Sequence, residues 1–247
     1  MLLIGAPARA TDVGTGTRRN DQAICRRNDR CGIGLLVPIL LDPCAAPVWG
    51  REFRYPLLHT NLRMNQPVSA TPIADAKRPF FYGVDVGGTA IKVGLVDDLG
   101  RVLGFSSLPT DEPAGAQAAM QRVATALSNL CESLGVAIGD VAAIGLGAPG
   151  PMDLAAGTLV APPQLPSWWG VNLRDVLSEL TGLPVAFTND ANAAAYGEFW
   201  LGPGESANSM VLLTLGTGIG GGIIFDGHLL GGANSFAGEV GHLVVDS

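Results

Sequence analysis

From Pro79 onward the apolar residues recur at strand and helix periods, whereas residues 1–78 sustain neither period. Three apolar, β-prone runs follow Pro79, and a Gly-Gly turn and an Asp-Leu-Gly turn separate them. These predicted strands are Phe80–Val86, Ile91–Asp97 and Arg101–Leu108. The pattern therefore predicts a three-stranded β-meander at the start of the patterned part of the chain.

Helices and strands alternate after the meander. Ala114–Leu134 carries Ala, Met, Val and Leu at helical spacing, and Thr110 or Asp111 can cap this helix. The later predicted helices are Asn172–Leu180, which Gly182 would end, and Asp190–Trp200. The later predicted strands are Val141–Leu146, Pro184–Phe187, Met210–Leu215, Gly222–Phe225 and His228–Leu230. With 47% hydrophobic and 15% charged residues, this alternation predicts a globular α/β enzyme.

Residues 1–78 also differ from the rest of the chain in composition. Up to residue 63 there are nine arginines and five acidic residues, although the whole chain carries a net charge of −7. We interpret residues 1–78 as a disordered leader, or as sequence translated upstream of a start at Met64, and expect residues 1–63 to be dispensable. Because the chain as a whole is acidic, it lacks the basic surface that binding to nucleic acid requires.

Membrane insertion and disulfide bonding are not expected from this sequence. No apolar run reaches the roughly 18–20 residues that a membrane span needs. Three of the four cysteines lie within residues 1–63, and none forms a C-x-x-C pair. These features predict a cytoplasmic protein in a reducing setting.

Two glycine-rich turns contain residues suited to bind phosphate. The first lies between Asp85 and Lys92 and includes Gly87, Gly88 and Thr89. Backbone N–H groups of glycines and a threonine hydroxyl can donate to phosphate oxygens, and Asp85 can hold Mg²⁺ directly or through water. An ordinary Gly-Gly hairpin would show the same pattern.

The second turn contains Gly216, Thr217 and Gly218 between two predicted strands, so the two turns can clamp a phosphate chain from both sides. No G-x-x-x-x-G-K-[ST] sequence is present, which excludes a P-loop. The G-x-G-x-x-G pattern starts at both Gly145 and Gly216, but one match runs into Pro151 and the other into a strand, so neither opens a helix. A nucleotide-dependent dehydrogenase is therefore disfavoured.

Two polar clusters supply candidate groups for chemistry on a hydroxyl. Asn189 and Asp190 open a predicted helix, where Asp190 can accept a proton from a hydroxyl and Asn189 can bond a neighbouring one, although plain N-capping explains both. Glu239 and His242 are three residues apart and would share one face of a helical turn. That pair can bind a polyol, or His242 can ligate a metal.

The order of these motifs resembles the ROK family of sugar kinases, and within it the glucokinases. The motifs are D-V-G-G-T-x-I-K, G-A-P-G-P, N-D-A-N-A-A, L-G-T-G-I-G-G-G and A-G-E-V-G-H, and the resemblance covers Phe80–Ser247. It implies the actin-like (ribonuclease-H-like) ATPase fold, in which two α/β lobes flank a cleft. We expect residues 79–194 to form the first lobe and residues 195–247 to begin the second.

The resemblance also implies a role for each motif in moving a phosphoryl group from ATP to glucose. Asp190 resembles the general base that takes the proton of the sugar 6-hydroxyl. The implied sugar-binding residues are Asn189, Glu239, His242 and Gly150. The implied nucleotide-binding residues are Asp85, Gly87, Gly88, Thr89, Lys92, Gly216, Thr217 and Gly218. The implied cofactors are ATP with Mg²⁺, and in the full-length family the residue matching His242 is also a zinc ligand.

The chain departs from the family pattern at a few positions. Ala90 stands where many members have Asn or Lys, and Gln164 where many have Asn. The family's C-x-C-G-x-x-G-C-x-E zinc motif would follow His242, so we expect a truncated chain with little kinase activity, and a homodimer only at full length.

Several alternatives to a glucokinase stay open. N-acetylmannosamine, N-acetylglucosamine, mannose or fructose can replace glucose as the substrate. A sugar-sensing transcriptional regulator of the same family would need a helix-turn-helix segment before the kinase-like part, and residues 1–78 show no pair of amphipathic helices.

Overall fold

The computed structural model describes residues 70–202, 204, 207–215, 218–233 and 235–244, together with the backbone of Leu35–Leu40. Its strands are β1 (Leu35–Leu40), β2 (Phe80–Val86), β3 (Ala90–Val96), β4 (Val102–Pro109), β5 (Val141–Ala148), β6 (Met152–Asp153), β7 (Thr158–Leu159), β8 (Val185–Asn189), β9 (Met210–Leu215), β10 (Ile219–Phe225) and β11 (His228–Leu229). Its α-helices are α1 (Ala116–Leu134), α2 (Leu173–Thr181) and α3 (Asp190–Leu201). Single 3₁₀ turns occur at Ile73–Asp75, Glu112–Ala114, Ile138–Asp140, Pro166–Trp168 and Val240–His242.

A five-stranded mixed sheet forms the centre of the structure, with strand order β4-β3-β2-β5-β8. The meander β2-β3-β4 is antiparallel, whereas β2, β5 and β8 run parallel. The middle strand β2 is buried along nearly its whole length, because α1 and α2 cover one face of the sheet and its other face packs against the end of α3. The carboxyl ends of neighbouring parallel strands lie at the same edge of the sheet. The candidate site is at this edge.

A second sheet has the order β1-β9-β10-β11, with every neighbouring pair antiparallel. Helix α3 follows β8 directly and packs its small residues against β9 and β10, so it joins the two sheets. The short pair β6 and β7 forms a separate ribbon after β5.

The α/β prediction and the meander are confirmed, and the boundaries of the predicted elements lie within a few residues of the observed ones. Helix α2 has the predicted stop at Gly182, and Asn172 caps its start by accepting a hydrogen bond from the Asp175 amide at 2.9 Å. The cap prediction for α1 is wrong: Gly115 stands at the cap position and no side chain caps the helix. Thr110 uses its hydroxyl elsewhere, as described below.

Most of the predicted leader, residues 1–78, lies outside the described residues, and two parts of it differ from a disordered segment. Leu35–Leu40 forms β1, an edge strand of the second sheet. Residues 70–78 belong to the central unit, because the Thr71 amide donates to the Val102 carbonyl and the Lys77 amide donates to Asp97. Among the described residues, no helix is long and apolar enough to cross a membrane.

Candidate functional site

The carboxyl ends of β2, β5 and β8 lie side by side at one edge of the sheet. Asp85 near the end of β2 pairs with Gly147 of β5, and Gly147 pairs with Thr188 of β8. Asn189 ends β8, and Asp190 is the first residue of α3. Since neighbouring strands lie about 4.8 Å apart, Asp85 and the start of α3 are separated by roughly 10 Å.

Asn189 and Asp190 have different tasks at the start of α3. The Asn189 Oδ1 accepts hydrogen bonds from the amides of Ala191, at 2.9 Å, and of Asn192, at 3.3 Å, so Asn189 is the N-cap. The capping interpretation therefore holds for Asn189, whose side-chain NH₂ group is not needed for the cap. Asp190 Oδ1 also accepts from the Ala191 amide, at 2.8 Å.

The surroundings of Asp190 change the pKa of its carboxyl group. Burial, and to a smaller extent the negative charge of Asp85, raise its pKa to about 6, against the opposing effect of the Ala191 amide. A carboxylate with a pKa near 6 is mostly ionised at pH 7 and is a better proton acceptor than an ordinary one. Such a group has the properties of a general base.

The first glycine turn is a β-hairpin between β2 and β3, closed by a hydrogen bond of 3.0 Å from the Gly87 amide to the Ala90 carbonyl. Gly88 and Thr89 lie at its exposed end. Asp85 and Lys92 are direct cross-strand partners, and their Oδ2 and Nζ atoms are 3.5 Å apart. The hairpin thus presents exposed backbone beside one acidic and one basic side chain.

The loop after β7 approaches this hairpin from the side. A Cβ atom on Gly88 would lie 3.4 Å from the Cβ of Gln164, and one on Gly150 would lie 3.4 Å from Pro162. Gly150 has a φ of +88°, a conformation that favours glycine at this turn after β5. Gln164, a position where the chain departs from the family pattern, therefore faces the first hairpin.

The second glycine turn connects β9 and β10, which pair antiparallel with Leu215 opposite Ile219. Gly216 and Thr217 lie outside the described residues, and Gly218 is exposed. The hairpin expected here is confirmed by the pairing of its two strands.

The following glycines belong to β10 rather than to the turn, and they allow α3 to pack closely. A Cβ on Gly220 would lie 3.1 Å from the Cβ of Ala191, and one on Gly222 would lie 3.0 Å from the Ala191 carbonyl oxygen and collide with the Cβ of Ala195. The strand carrying these glycines is therefore held against the first turn of α3, next to Asp190.

The segment from Gly238 to His242 packs on the opposite face of β10. A Cβ on Gly221 would lie 2.7 Å from the Gly238 carbonyl oxygen, so the two backbones are in contact. Glu239 and His242 share one side of the predicted helical turn, with Oε2 and Nε2 3.8 Å apart, and His242 is largely exposed. The structure thus places this motif against β10, the strand whose glycines also contact the first turn of α3.

Two residues near the site were not identified as site residues from the sequence. Asn192 is 6% exposed, and its Oδ1 has no hydrogen-bond partner among the described residues; a Cβ on Gly238 would lie 3.5 Å from that atom. Thr110 donates its hydroxyl to the Gly87 carbonyl at 2.6 Å. Asn192 belongs to the N-D-A-N motif and could have been noticed there, whereas Thr110 contacts a residue 23 positions away, which no local pattern reveals.

The side chains that the structure describes differ in how well they suit zinc and Mg²⁺. Among them, no three His, Cys, Asp or Glu residues converge on one point, so Glu239 and His242 do not by themselves fit the four-coordinate zinc site implied by the resemblance. Mg²⁺ needs only one or two carboxylates in addition to substrate phosphates. Asp85, beside the first hairpin, fits that requirement.

Sequence comparisons relate this chain to known sugar kinases. A sequence model of the ROK family matches residues 81–247. A glucokinase from Halalkalibacterium halodurans is 40% identical over 166 residues, covering 67% of this chain and 50% of that protein. A beta-glucoside kinase from Listeria monocytogenes is 35% identical over 159 residues, covering 64% of this chain and 51% of that protein.

Solved structures show the same fold. The crystal structure of a ROK family glucokinase from Streptomyces griseus, in complex with glucose and AMPPNP, is 37% identical with a TM-score of 0.60, covering 68% of this chain and 51% of that one. The expected actin-like fold is thereby confirmed. The chain spans about half the length of the curated relatives it matches. Because the family match covers more than half of its residues, this chain belongs to the ROK family.

Proposed function

We propose that this chain forms the phosphate- and sugar-binding part of an ATP-dependent hexose kinase that converts glucose and ATP to glucose 6-phosphate and ADP. The observation that carries the proposal is Asp190, a carboxylate with a pKa of about 6 at the start of α3, with one strand between it and Asp85 beside the first glycine hairpin. The glucokinase relatives and the Streptomyces griseus complex with glucose and AMPPNP support it.

Phosphoryl transfer depends on alignment and charge neutralisation, and the proposed roles follow from that requirement. The exposed backbone of the first hairpin would bind phosphate oxygens, Lys92 would add positive charge, and Asp85 would hold Mg²⁺. The second hairpin, with Gly216, Thr217 and Gly218, would contact the phosphate chain from another side. Bound Mg²⁺ supplies charge neutralisation at the phosphates.

The sugar would lie between the start of α3 and the segment that follows β11. Asn189 and Glu239 would bond sugar hydroxyls, His242 would lie at the outer side, and Gly150 would leave room for the ring. Asp190 would accept the proton of the 6-hydroxyl as that oxygen attacks the terminal phosphorus. Its raised pKa suits this step, because general-base catalysis works best with a pKa close to the working pH.

The identity of the sugar is the less constrained part of the proposal. The relatives include a beta-glucoside kinase as well as glucokinases, and N-acetylmannosamine, N-acetylglucosamine, mannose and fructose are the other candidates. A sugar-sensing regulator of the same family is the alternative from another class. The presence of an acid with a raised pKa at Asp190 favours the kinase, since a regulator needs no proton acceptor.

A coupled assay of ADP release with a panel of these sugars tests the proposal. Two proteins are compared: the 247-residue chain, and a chimaera that continues it with the remaining half of the Halalkalibacterium halodurans glucokinase. We expect the chimaera to release ADP with glucose and less with the N-acetylated sugars. Sugar binding without ADP release in both proteins, together with a shift of operator DNA, would favour the regulator.

A further inference from the structure

Thr110 lies behind the first glycine hairpin, immediately after β4, and is fully buried. Its hydroxyl donates to the Gly87 carbonyl at 2.6 Å, and its amide donates to the Thr89 carbonyl at 3.0 Å. The two acceptors stand on either side of Gly88. One buried residue therefore fixes both ends of the exposed turn.

Thr110 is itself held by helix α1. Arg122 Nη2 donates to the Thr110 carbonyl at 2.7 Å, and Arg122 Nη1 lies 4.0 Å from Asp111 Oδ2. Helix α1 is anchored in the core through buried residues on either side of Arg122, Met120 and Val123. The contacts form a continuous path from a rigid helix to the hairpin.

The hydrogen bond to Gly87 determines the direction of an amide group on the other side of the turn. The carbonyl of Gly87 and the N–H of Gly88 belong to one planar trans peptide, so they point in opposite directions. Because the carbonyl points inward to the Thr110 hydroxyl, the Gly88 N–H points away from Thr110, toward the exposed side. That is the direction from which a phosphate oxygen would approach.

We propose that Thr110 is a positioning residue for the triphosphate of the nucleotide: it fixes the Gly87–Gly88 peptide so that the Gly88 amide is aimed at a phosphate oxygen. The part that concerns the nucleotide rests on the proposed function, whereas the fixing of the peptide does not. A preorganised donor loses less freedom when its ligand binds, so losing the hydroxyl weakens nucleotide binding without touching the sugar.

The first test measures the hairpin itself, by amide hydrogen exchange in the 247-residue chain. Thr110→Val removes the hydroxyl at nearly constant volume, and Thr110→Ser keeps it. Thr181→Val is the matched control, since the Thr181 hydroxyl also donates to a backbone carbonyl, that of Leu177, at 2.7 Å and away from the site. We expect exchange in residues 86–90 to be several-fold faster in Thr110→Val alone, on the scale of one lost hydrogen bond. Unchanged exchange there would overturn the proposal.

The second test uses the chimaera and its variants. It measures the dissociation constants of AMPPNP with Mg²⁺ and of glucose by calorimetry. We expect Thr110→Val to weaken AMPPNP binding by about 3- to 10-fold, as one hydrogen bond contributes, with glucose affinity unchanged and Thr110→Ser like the wild type. Equal losses for both ligands would indicate a merely structural role and contradict the proposal. Wild-type protein that binds neither ligand, with faster exchange in Thr110→Val, would contradict the proposed function and leave the positioning of the peptide established.

If Thr110→Val does not fold, Arg122→Gln tests the same proposal with Thr110 unchanged. It removes the donor to the Thr110 carbonyl, so exchange in residues 86–90 should again be faster, by a smaller factor. If this variant matches the wild type in both hydrogen exchange and AMPPNP affinity, the proposed path from α1 to the hairpin is contradicted.

Discussion

Asp85 and Asp190 lie at the same edge of the central sheet with one strand between them, and the charge of Asp85 adds to burial in raising the pKa of Asp190 to about 6. The two carboxylates come from segments more than 100 residues apart in sequence. Their placement gives one acid an altered protonation equilibrium beside a hairpin suited to phosphate. Ionised Asp190 in this position lowers the folding stability, and the effect can be measured.

We expect Asp190→Asn to stabilise the protein at high pH, because the ionised, buried Asp190 destabilises the folded state. The pKa of Asp190 is raised in the folded state, so the folded protein binds more protons than the unfolded chain between about pH 4 and 6. Stability from this group is therefore fully present below pH 4 and is lost as the pH rises through 6. We expect Asp190→Asn to be more stable than the wild type by about 1–3 kcal/mol at pH 8.

Urea unfolding at pH 4, 6 and 8 measures this effect, and the gain should disappear at pH 4. Glu132→Gln, on the exposed side of α1, is the control and should change stability little at any of the three values. An Asp190→Asn variant that is less stable than the wild type at pH 8 would show that the ionised carboxylate is well solvated or paired.

A second prediction concerns Asp97, which is fully buried and accepts hydrogen bonds from Arg101 and from the amides of Lys77, Leu99 and Arg101. Burial acts to raise the pKa of Asp97, but these hydrogen bonds outweigh it and hold the pKa below its ordinary value. Its contribution to stability is therefore present above about pH 4 and is lost as the pH falls through the folded-state pKa.

We expect Asp97→Asn to cost about 2–4 kcal/mol at pH 7, because buried donors would lose a charged acceptor. The neighbouring Asp98→Asn is the control: Asp98 pairs with Lys77 at 3.5 Å on the surface, so its loss should cost less than about 1 kcal/mol. Equal effects in thermal unfolding would mean that the Asp97 network does not stabilise the fold.

A third prediction concerns the glycines of β10. Gly222→Ala would place a methyl group against Ala195 and the Ala191 carbonyl, so α3 must shift and the protein should lose about 1–3 kcal/mol. Gly139→Ala is the control, because Gly139 is exposed with open space around the added methyl. Urea unfolding that ranks the two variants equally would show that β10 and α3 are not closely packed.

Sequence patterns predicted the central elements well where the period of a single segment decides the structure. The continuous apolar run of β2 and the spacing of apolar residues in α1 depend only on neighbouring residues. The strands β6 and β7, two residues each, are too short to show any period. Motif order, rather than periodicity, predicted the fold family.

The residues of the candidate site were proposed from the sequence, but the contacts they make could not be. The predicted strand began only at Gly222, whereas β10 begins at Ile219, because glycines such as Gly220 look the same in a turn and in a closely packed strand. Thr110 was one of two candidate caps for α1, since threonine is a common N-cap residue, whereas its hydroxyl bonds to Gly87 across the sheet. The raised pKa of Asp190 depends on burial and on Asp85, which only the folded structure brings close.

A fourth prediction follows from the proposed base. The rate constant kcat/KM for glucose phosphorylation by the chimaera should fall below about pH 6 with a single ionisation, since protonated Asp190 cannot accept the hydroxyl proton. Rates measured from pH 5 to 8 at constant ionic strength test this. A rate that stays level down to pH 5 would argue against a base with a pKa near 6.

The most direct measurement is the formation of glucose 6-phosphate from γ-labelled ATP by the chimaera and by its Asp190→Asn variant, with glucose affinity measured alongside. The account predicts labelled glucose 6-phosphate from the unaltered chimaera, and a fall in kcat of about 10²–10⁴-fold in the variant, the scale of losing a general base. Glucose affinity should be largely kept. A variant that retains near-normal kcat, or an unaltered chimaera that binds glucose but forms no labelled product, would contradict the central claim.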